Sequence, residues 1–458
     1  MKMLRISCLT GGFLSLVLSL SAQTFTSLHS FDSNDGAHPY AAPIQGGDGN
    51  FYGTASAGGA TGAGMAYRIT PSGALLTLSF HGTNGDFPRA ALDLATNGNF
   101  FGTTVMGGTN GGYGTIFKVS PNGALQTIYS FGDLDGASPE AALIQGTTGN
   151  FYGTTESGGS QCPGGCGTVF EITPGGVLTT LHTFDLTDGS GPYAALIQAT
   201  DGNFYGTTAG GGAKEFGTVF KMTPSGTLTT LYSFSGQDGQ FPAAGLVQGS
   251  DGNFYGTTAE GGLGYGIVFK ITPGGTLTIL HNFNGQDGAN PYATWIQGSD
   301  GNFYGTTTEG GTNGDGVVFQ MTPAGALTTL HNFDGADGTF PYGLVQATDG
   351  SFYGTTYEGG TSNACLYGCG TVYNLSVGLG PFVETIPTSG KVGAAVKILG
   401  TKLTGATSVT FNGTQVAFTI VSKSEITTTV PTGATTGNVQ VTTPRGMLSS
   451  NVPFYVIP

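Results

Sequence analysis

The sequence predicts an all-β protein whose main body is a closed ring of seven four-stranded sheets, a seven-bladed β-propeller, followed by a tail outside the repeat. Three observations predict it. First, a Gly-Asn-Phe-Tyr-Gly-Thr-Thr run recurs with little change, its leading aromatics standing at Phe51, Phe100, Phe151, Phe204, Phe254, Phe303 and Phe352; the period of about 50 residues is that of a blade array. Second, each copy is surrounded by segments rich in strand formers that bring the total to four strands, the content of one blade. Third, the seventh repeat has no fourth segment after Gly370–Val377, while the chain supplies one early, Phe25-Thr-Ser-Leu-His-Ser-Phe31, which matches Leu327–Phe333.

The fifth copy shows the elements in order: Phe241–Gln248, Phe254–Thr258, Gly266–Pro273 and Leu277–Phe283. Asp251-Gly252 and Gly274-Gly275 separate strand runs by the short distances that hairpins prefer. Phe254-Tyr255 and Val268-Phe269-Lys270-Ile271 place large groups on both faces, as expected of sheets sandwiched between neighbours. Small residues Ala243, Ala244 and Gly245 fall on the first strand, nearest the crowded axis. The early segment is expected to pair as the outer strand of the last blade, so that the ring spans residues 24–378 and leaves no unpaired inner edge.

Charged residues make up 9% of the 458 residues, and the net charge is -14; soluble domains average about 25% charged. The 84 glycines sit at fixed offsets between aromatic and β-branched runs and mark tight turns. No Lys/Arg cluster offers a footprint for nucleic acid or anionic lipid. Residues 1–22 read as a secretory signal peptide: Lys2 and Arg5, an apolar stretch from Ile6 to Leu20, then Ser21 and Ala22. No later stretch is long and apolar enough to span a membrane. The expected location is secreted, extracellular or at the cell surface.

These blocks resemble the Gloeo/Verruco-type (GloVer) tandem repeat of bacterial exported proteins, over about residues 24–378. The resemblance implies a repeat architecture and carries no established activity. The tail, residues 381–458, resembles an IPT/TIG domain through Ile386-Pro-Thr-Ser-Gly390, Val396–Gly400, Val409–Gly413, Val430-Pro431, Gly437–Val441 and Phe454-Tyr-Val456. It implies a small immunoglobulin-like sandwich that serves as a spacer or contact module.

Cys162 and Cys166, and Cys365 and Cys369, stand at the same place in repeats three and seven. In an oxidising compartment each pair reads as a local disulfide, since zinc would need further ligands at short spacing. Asp35, Asp135, Asp188, Asp238, Asp287 and Asp337 recur in the turns between repeats, each followed by Gly, on the face that also carries Glu156, Glu260, Glu309 and Glu358. An acidic rim could hold Ca²⁺ or a cationic ligand; Asp-Gly as repeated turn chemistry carries more weight, because the alternating ligands of a calcium loop are missing. Calcium aside, no cofactor is expected. Tyr40, Tyr193, Tyr292 and Tyr342 follow the crossover proline near the expected channel mouth, where they either pack between blades or offer flat faces and hydroxyls to sugars or peptides. His29, His182, His281 and His331 share one outer-strand position with Tyr129 and Tyr232, which points to an aromatic edge and away from a metal.

No nucleophile elbow, zinc-protease motif or phosphate loop is present, and near-identical blades do not supply the asymmetric groups of a catalytic site. The leading expectation is a non-catalytic binding or adhesion protein that contacts carbohydrate or an extracellular protein through one loop face. A secreted carbohydrate-active enzyme and a structural envelope protein are the alternatives, since the fold hosts all three.

Overall fold

The computed structural model describes residues 23–457, so the expected signal peptide lies outside the described residues. The repeats fold as four-stranded antiparallel sheets in chain order. In the fifth, Val247–Gln248, Phe254–Thr258, Ile267–Ile271 and Leu277–Asn282 pair in sequence, with Phe254 opposite Ile271 and Ile271 opposite Leu277.

The second and third strands are buried on both faces because each sheet is covered by its neighbours. Adjacent Phe and Tyr side chains point to opposite faces of the pleat, so each reaches a different neighbour. Tyr205 stacks on Phe254 with ring centres 4.0 Å apart, and Tyr255 meets Phe303 at 4.3 Å. The same contact joins the last sheet to the first, where Tyr353 stacks on Phe51 at 3.8 Å. The glycine of the run is a packing requirement: a Cβ on Gly256 would lie 2.6 Å from the ring of Phe269. Buried threonines add polar ties between sheets. Thr54, Thr103, Thr154, Thr207 and Thr257 each donate to a carbonyl of the following sheet, and Thr355 of the last sheet reaches Ala41 of the first.

The early strand, Thr24–Ser30, pairs antiparallel with Thr371–Ser376 and is the outer strand of a sheet completed by Phe352–Glu358 and Thr339–Gln346. The inner strands differ from expectation, since only Val247–Gln248 of Phe241–Gln248 joins the ladder. The Ala244 carbonyl is taken by Thr207, whereas in the last sheet Thr339–Gln346 pairs along its length although it holds Phe340, with a φ of 53°, and Pro341.

The tail forms two packed sheets, one of Glu384–Ile386, Ala395–Leu399, Glu425–Thr429 and Phe418–Ile420, the other of Thr414–Val416, Ser408–Phe411, Val439–Thr443 and Gly446–Ser449. Alternating residues such as Val396 and Ile398, and Val439 and Val441, fill the space between them. The tail is docked on the repeat array rather than strung behind it. Ile386 and Leu399 pack against Leu92, Leu94, Tyr52 and Phe100, and the hydroxyls of Ser422 and Ser424 donate to the Gly47 carbonyl at 3.1 and 2.8 Å.

The array is altered at that spot. At six junctions a glutamine Oε1 accepts the backbone N–H of a Thr or Ser in the preceding repeat: Gln145 from Thr96, Gln198 from Thr147, Gln248 from Thr200, Gln297 from Ser250, Gln346 from Ser299 and Gln45 from Thr348. At the remaining junction these positions are Leu94 and Gly47. Leu94 supplies apolar contact to the tail, and Gly47 leaves room for it, since a Cβ there would lie 1.7 Å from Glu425 Oε2.

Candidate ligand-binding face

Each crossover between sheets ends in a residue with left-handed backbone followed by proline. His38, Phe87, Ser138, Gly191, Phe241, Asn290 and Phe340 have φ between 53° and 60°. Bulky residues rarely adopt this conformation, and two backbone bonds hold it. The Phe241 N–H donates to Phe216 O in the preceding loop, and its carbonyl accepts from Ala259 N–H; His38 does the same with Cys369 and Ser56. The residues after these prolines are Tyr40, Arg89, Glu140, Tyr193, Ala243, Tyr292 and Tyr342, and several of their side chains meet although they come from separate repeats.

Tyr40 lies 5.1 Å from Tyr342 and 4.5 Å from Tyr357, ring centre to ring centre. The Arg89 guanidinium sits 4.9 Å over the Tyr40 ring and donates through Nη1 to Glu140 Oε1 at 2.9 Å. Glu156 accepts from the Tyr193 hydroxyl. Phe241 stands between Tyr193 and Tyr292, at 5.7 and 6.1 Å. The result is an aromatic wall interrupted by one ion pair. Burial pushes the Glu140 carboxyl up to about 7; the charge of Glu156 acts in the same direction and Arg89 opposes it. Burial also raises the phenols of Tyr40, Tyr193 and Tyr342 above their ordinary range, so they remain hydroxyl donors. Arg89 Nε is buried without a hydrogen-bond partner among the described residues. Stacking rings beside a guanidinium, carboxylates and hydroxyls are the groups that hold a polyhydroxylated ring.

The six aspartates of the crossovers lie beneath this surface and use both oxygens to build it. In each, Oδ1 accepts a backbone N–H three residues earlier, from Asp32, Gly132, Asp185, Ser235, Asn284 and Asp334. In each, Oδ2 bonds the outer-strand side chain six residues earlier: Asp35 with His29, Asp135 with Tyr129, Asp188 with His182, Asp238 with Tyr232, Asp287 with His281 and Asp337 with His331. The shared His or Tyr position is therefore one half of a loop clamp. Burial, helped by the aspartate, pushes the Tyr129 and Tyr232 phenols up to about 12.

Cys162–Cys166 and Cys365–Cys369 are disulfides. Cys166 and Cys369 precede the glycine of the third strand, where other repeats carry Tyr113, Phe216 and Tyr265. Phe216 and Tyr265 lean over the crossover glycines Gly236 and Gly285, so the disulfide replaces an aromatic clip. Trp295 is fully buried, packed beside Tyr255, Phe303 and Phe319. Among the described residues no group of three or more His, Cys, Asp or Glu gathers around a single ion position. Sequence reasoning missed Arg89 and Glu140. The available signal was positional: both stand after the crossover proline, where Tyr is the common residue.

The fold and this face define a propeller-like repeat array with a docked immunoglobulin-like domain. The chain belongs to the Gloeobacter/Verrucomicrobia repeat family, whose model matches residues 15–165, 78–264, 160–364 and 247–417, and the tail matches the IPT/TIG domain over residues 381–456. It is similar to a fungal alcohol oxidase of the AA5 family in complex with copper, at 13% identity and a TM-score of 0.53, covering 95% of this chain and 99% of that chain. It is also similar to PorZ, a bacterial surface component of the type-IX secretion system of Porphyromonas gingivalis, at 14% identity and a TM-score of 0.51, covering 94% of this chain and 61% of that one. At such identities the likeness concerns the fold alone. No curated protein sequence matches the chain.

Proposed function

We propose that the protein is an exported or cell-surface binding protein without catalytic activity, which holds a carbohydrate at the channel mouth of a closed seven-bladed propeller. The observation that carries this reading is the meeting of Tyr40, Arg89, Glu140, Tyr193 and Tyr342 around one end of the axis. Closure is supported by the Phe–Tyr stacking and the threonine bonds, both of which run on from the last sheet to the first. Export is supported by the two disulfides, and among the described residues no helix is long and apolar enough to cross a membrane. The tyrosines of the loop face touch the sugar, and the crossover aspartates set the loops that carry them.

A second reading, a glycan-cleaving enzyme, has one observation in its favour. Burial raises the Glu140 carboxyl to about 7, with the charge of Glu156 acting in the same direction, and a raised carboxyl with a second one at hand is the pairing glycosidases use. Incubation with cello- and chito-oligosaccharides, with and without Ca²⁺, separates the two when binding is followed by calorimetry and products by chromatography. Binding with intact chains is the expected result. Shortened chains would install the enzyme reading, and absence of binding to either series would overturn both.

A further inference from the structure

An open depression of about 520 Å³ lies on the same face, between the crossover that enters the sixth repeat and that repeat's loop between second and third strands. Its size falls within the ~300–1,000 Å³ of ligand sites. Tyr265, which is 45% exposed, and Phe340 both line it. Gly310, Gly311 and Gly314 contribute no side chains to it. Gly310 has no freedom to be otherwise: its φ is 78°, and a Cβ would lie 2.6 Å from the Gly285 carbonyl oxygen.

The polar groups here differ from the clamped aspartates beneath. Asn284 Oδ1 accepts the N–H groups of Gln286 and Asp287, which leaves its NH₂ unengaged among the described residues, and the Gln286 amide and Glu309 carboxylate make no side-chain hydrogen bond there either. Burial chiefly, and Glu309 to a smaller degree, raises the phenols of Tyr292 and Tyr342, so the Glu309 carboxylate lies within electrostatic reach of both. Arg and Lys are absent from the lining, and Glu309 is its one charged group.

We infer that this depression is an outer subsite for the same carbohydrate, so that the ligand is a neutral chain of several sugar units running from the channel mouth out over the sixth repeat. The inference rests on the mouth being a glycan site. The two aromatic side chains in the lining suit the apolar faces of pyranose rings, and the free amides and carboxylate suit their hydroxyls. An unpaired carboxylate without a cation beside it disfavours uronic acids.

The test is calorimetric titration of the full chain with cello- and chito-oligosaccharides of one to six units. Affinity should rise about tenfold from disaccharide to tetrasaccharide, a step of roughly 1.4 kcal/mol. Tyr265→Ala and Gln286→Ala should each remove most of that rise and leave disaccharide binding unchanged. Tyr113→Ala, the matching aromatic of the second repeat, should alter neither. A disaccharide that binds as well as a tetrasaccharide, or a length dependence intact in Tyr265→Ala, would overturn the subsite while the mouth stands. Failure of every chain length to bind would overturn both.

Discussion

Asp188 and Asn84 occupy the same place in two crossovers, and their difference follows from one missing residue. The outer strand of the first repeat, Leu75–Ser79, is shorter than Leu178–Thr183 and pairs without the register shift seen there. The His or Tyr that clamps the aspartate elsewhere is the residue it lacks. Asn84 still accepts the His81 N–H, at 2.8 Å, and its Nδ2 meets the His81 ring Nε2 at 3.1 Å, a contact within the crossover and not to the outer strand. Asp188→Ala should therefore destabilise the protein by roughly 1–2 kcal/mol, the usual effect of leaving a buried hydrogen-bonding set half filled. Asn84→Ala should cost less, since no outer-strand side chain belongs to its set. Denaturant unfolding of both variants checks the pair. The clamp was half legible in the sequence: the aspartates and the His/Tyr position were both visible, but their pairing depends on how the crossover folds back. Arg89 and Glu140 were harder still, because each departs from the repeat once and neither forms a motif.

At the scale of elements, the period made the sheets legible, and the orphan segment Phe25–Phe31 disclosed the outer strand of the last sheet. The docking of the tail was not legible. Its marks are two single substitutions, Gly47 and Leu94, that acquire meaning only when Ser424, Glu425 and Leu399 are placed against them. Gly47→Val should displace Glu425 and release the tail from the array while both remain folded. Small-angle scattering should then show a larger radius of gyration, with the unfolding of the array unchanged. An unaltered scattering profile would show that the contact does not hold the tail.

Across the whole molecule, burial pushes three carboxyls up to about 7: Asp93, Glu140 and Glu384. Asp93 stands where other inner strands carry Ile or Val, and its Oδ2 is buried without a partner among the described residues. A folded pKa above the unfolded one means that the folded chain binds more protons between those values, so stability falls as pH rises through that window. Depressed carboxyls such as Asp201, held down to about 2 by Lys221 and Asn203 against the effect of burial, act at lower pH and leave this window to the raised groups. The melting temperature should fall from pH 5 to pH 8, by on the order of 2–4 °C per kcal/mol lost. The double variant Asp93→Asn, Glu384→Gln should flatten the slope, which scanning calorimetry at the two pH values reads directly.

The repeat makes near-equivalent loops, and two of the exceptions to it, Arg89 and Glu140, stand paired among the crossover tyrosines. That asymmetry is the basis for placing the ligand there. The most direct test is titration of wild type and Arg89→Ala with cellohexaose and chitohexaose. Loss of a charged hydrogen-bond donor should weaken binding by about tenfold or more, the equivalent of roughly 1.5–3 kcal/mol, measured well below a melting temperature that loss of the Glu140 partner also lowers. Equal affinity in the two proteins would contradict the assignment of the channel mouth as the binding site.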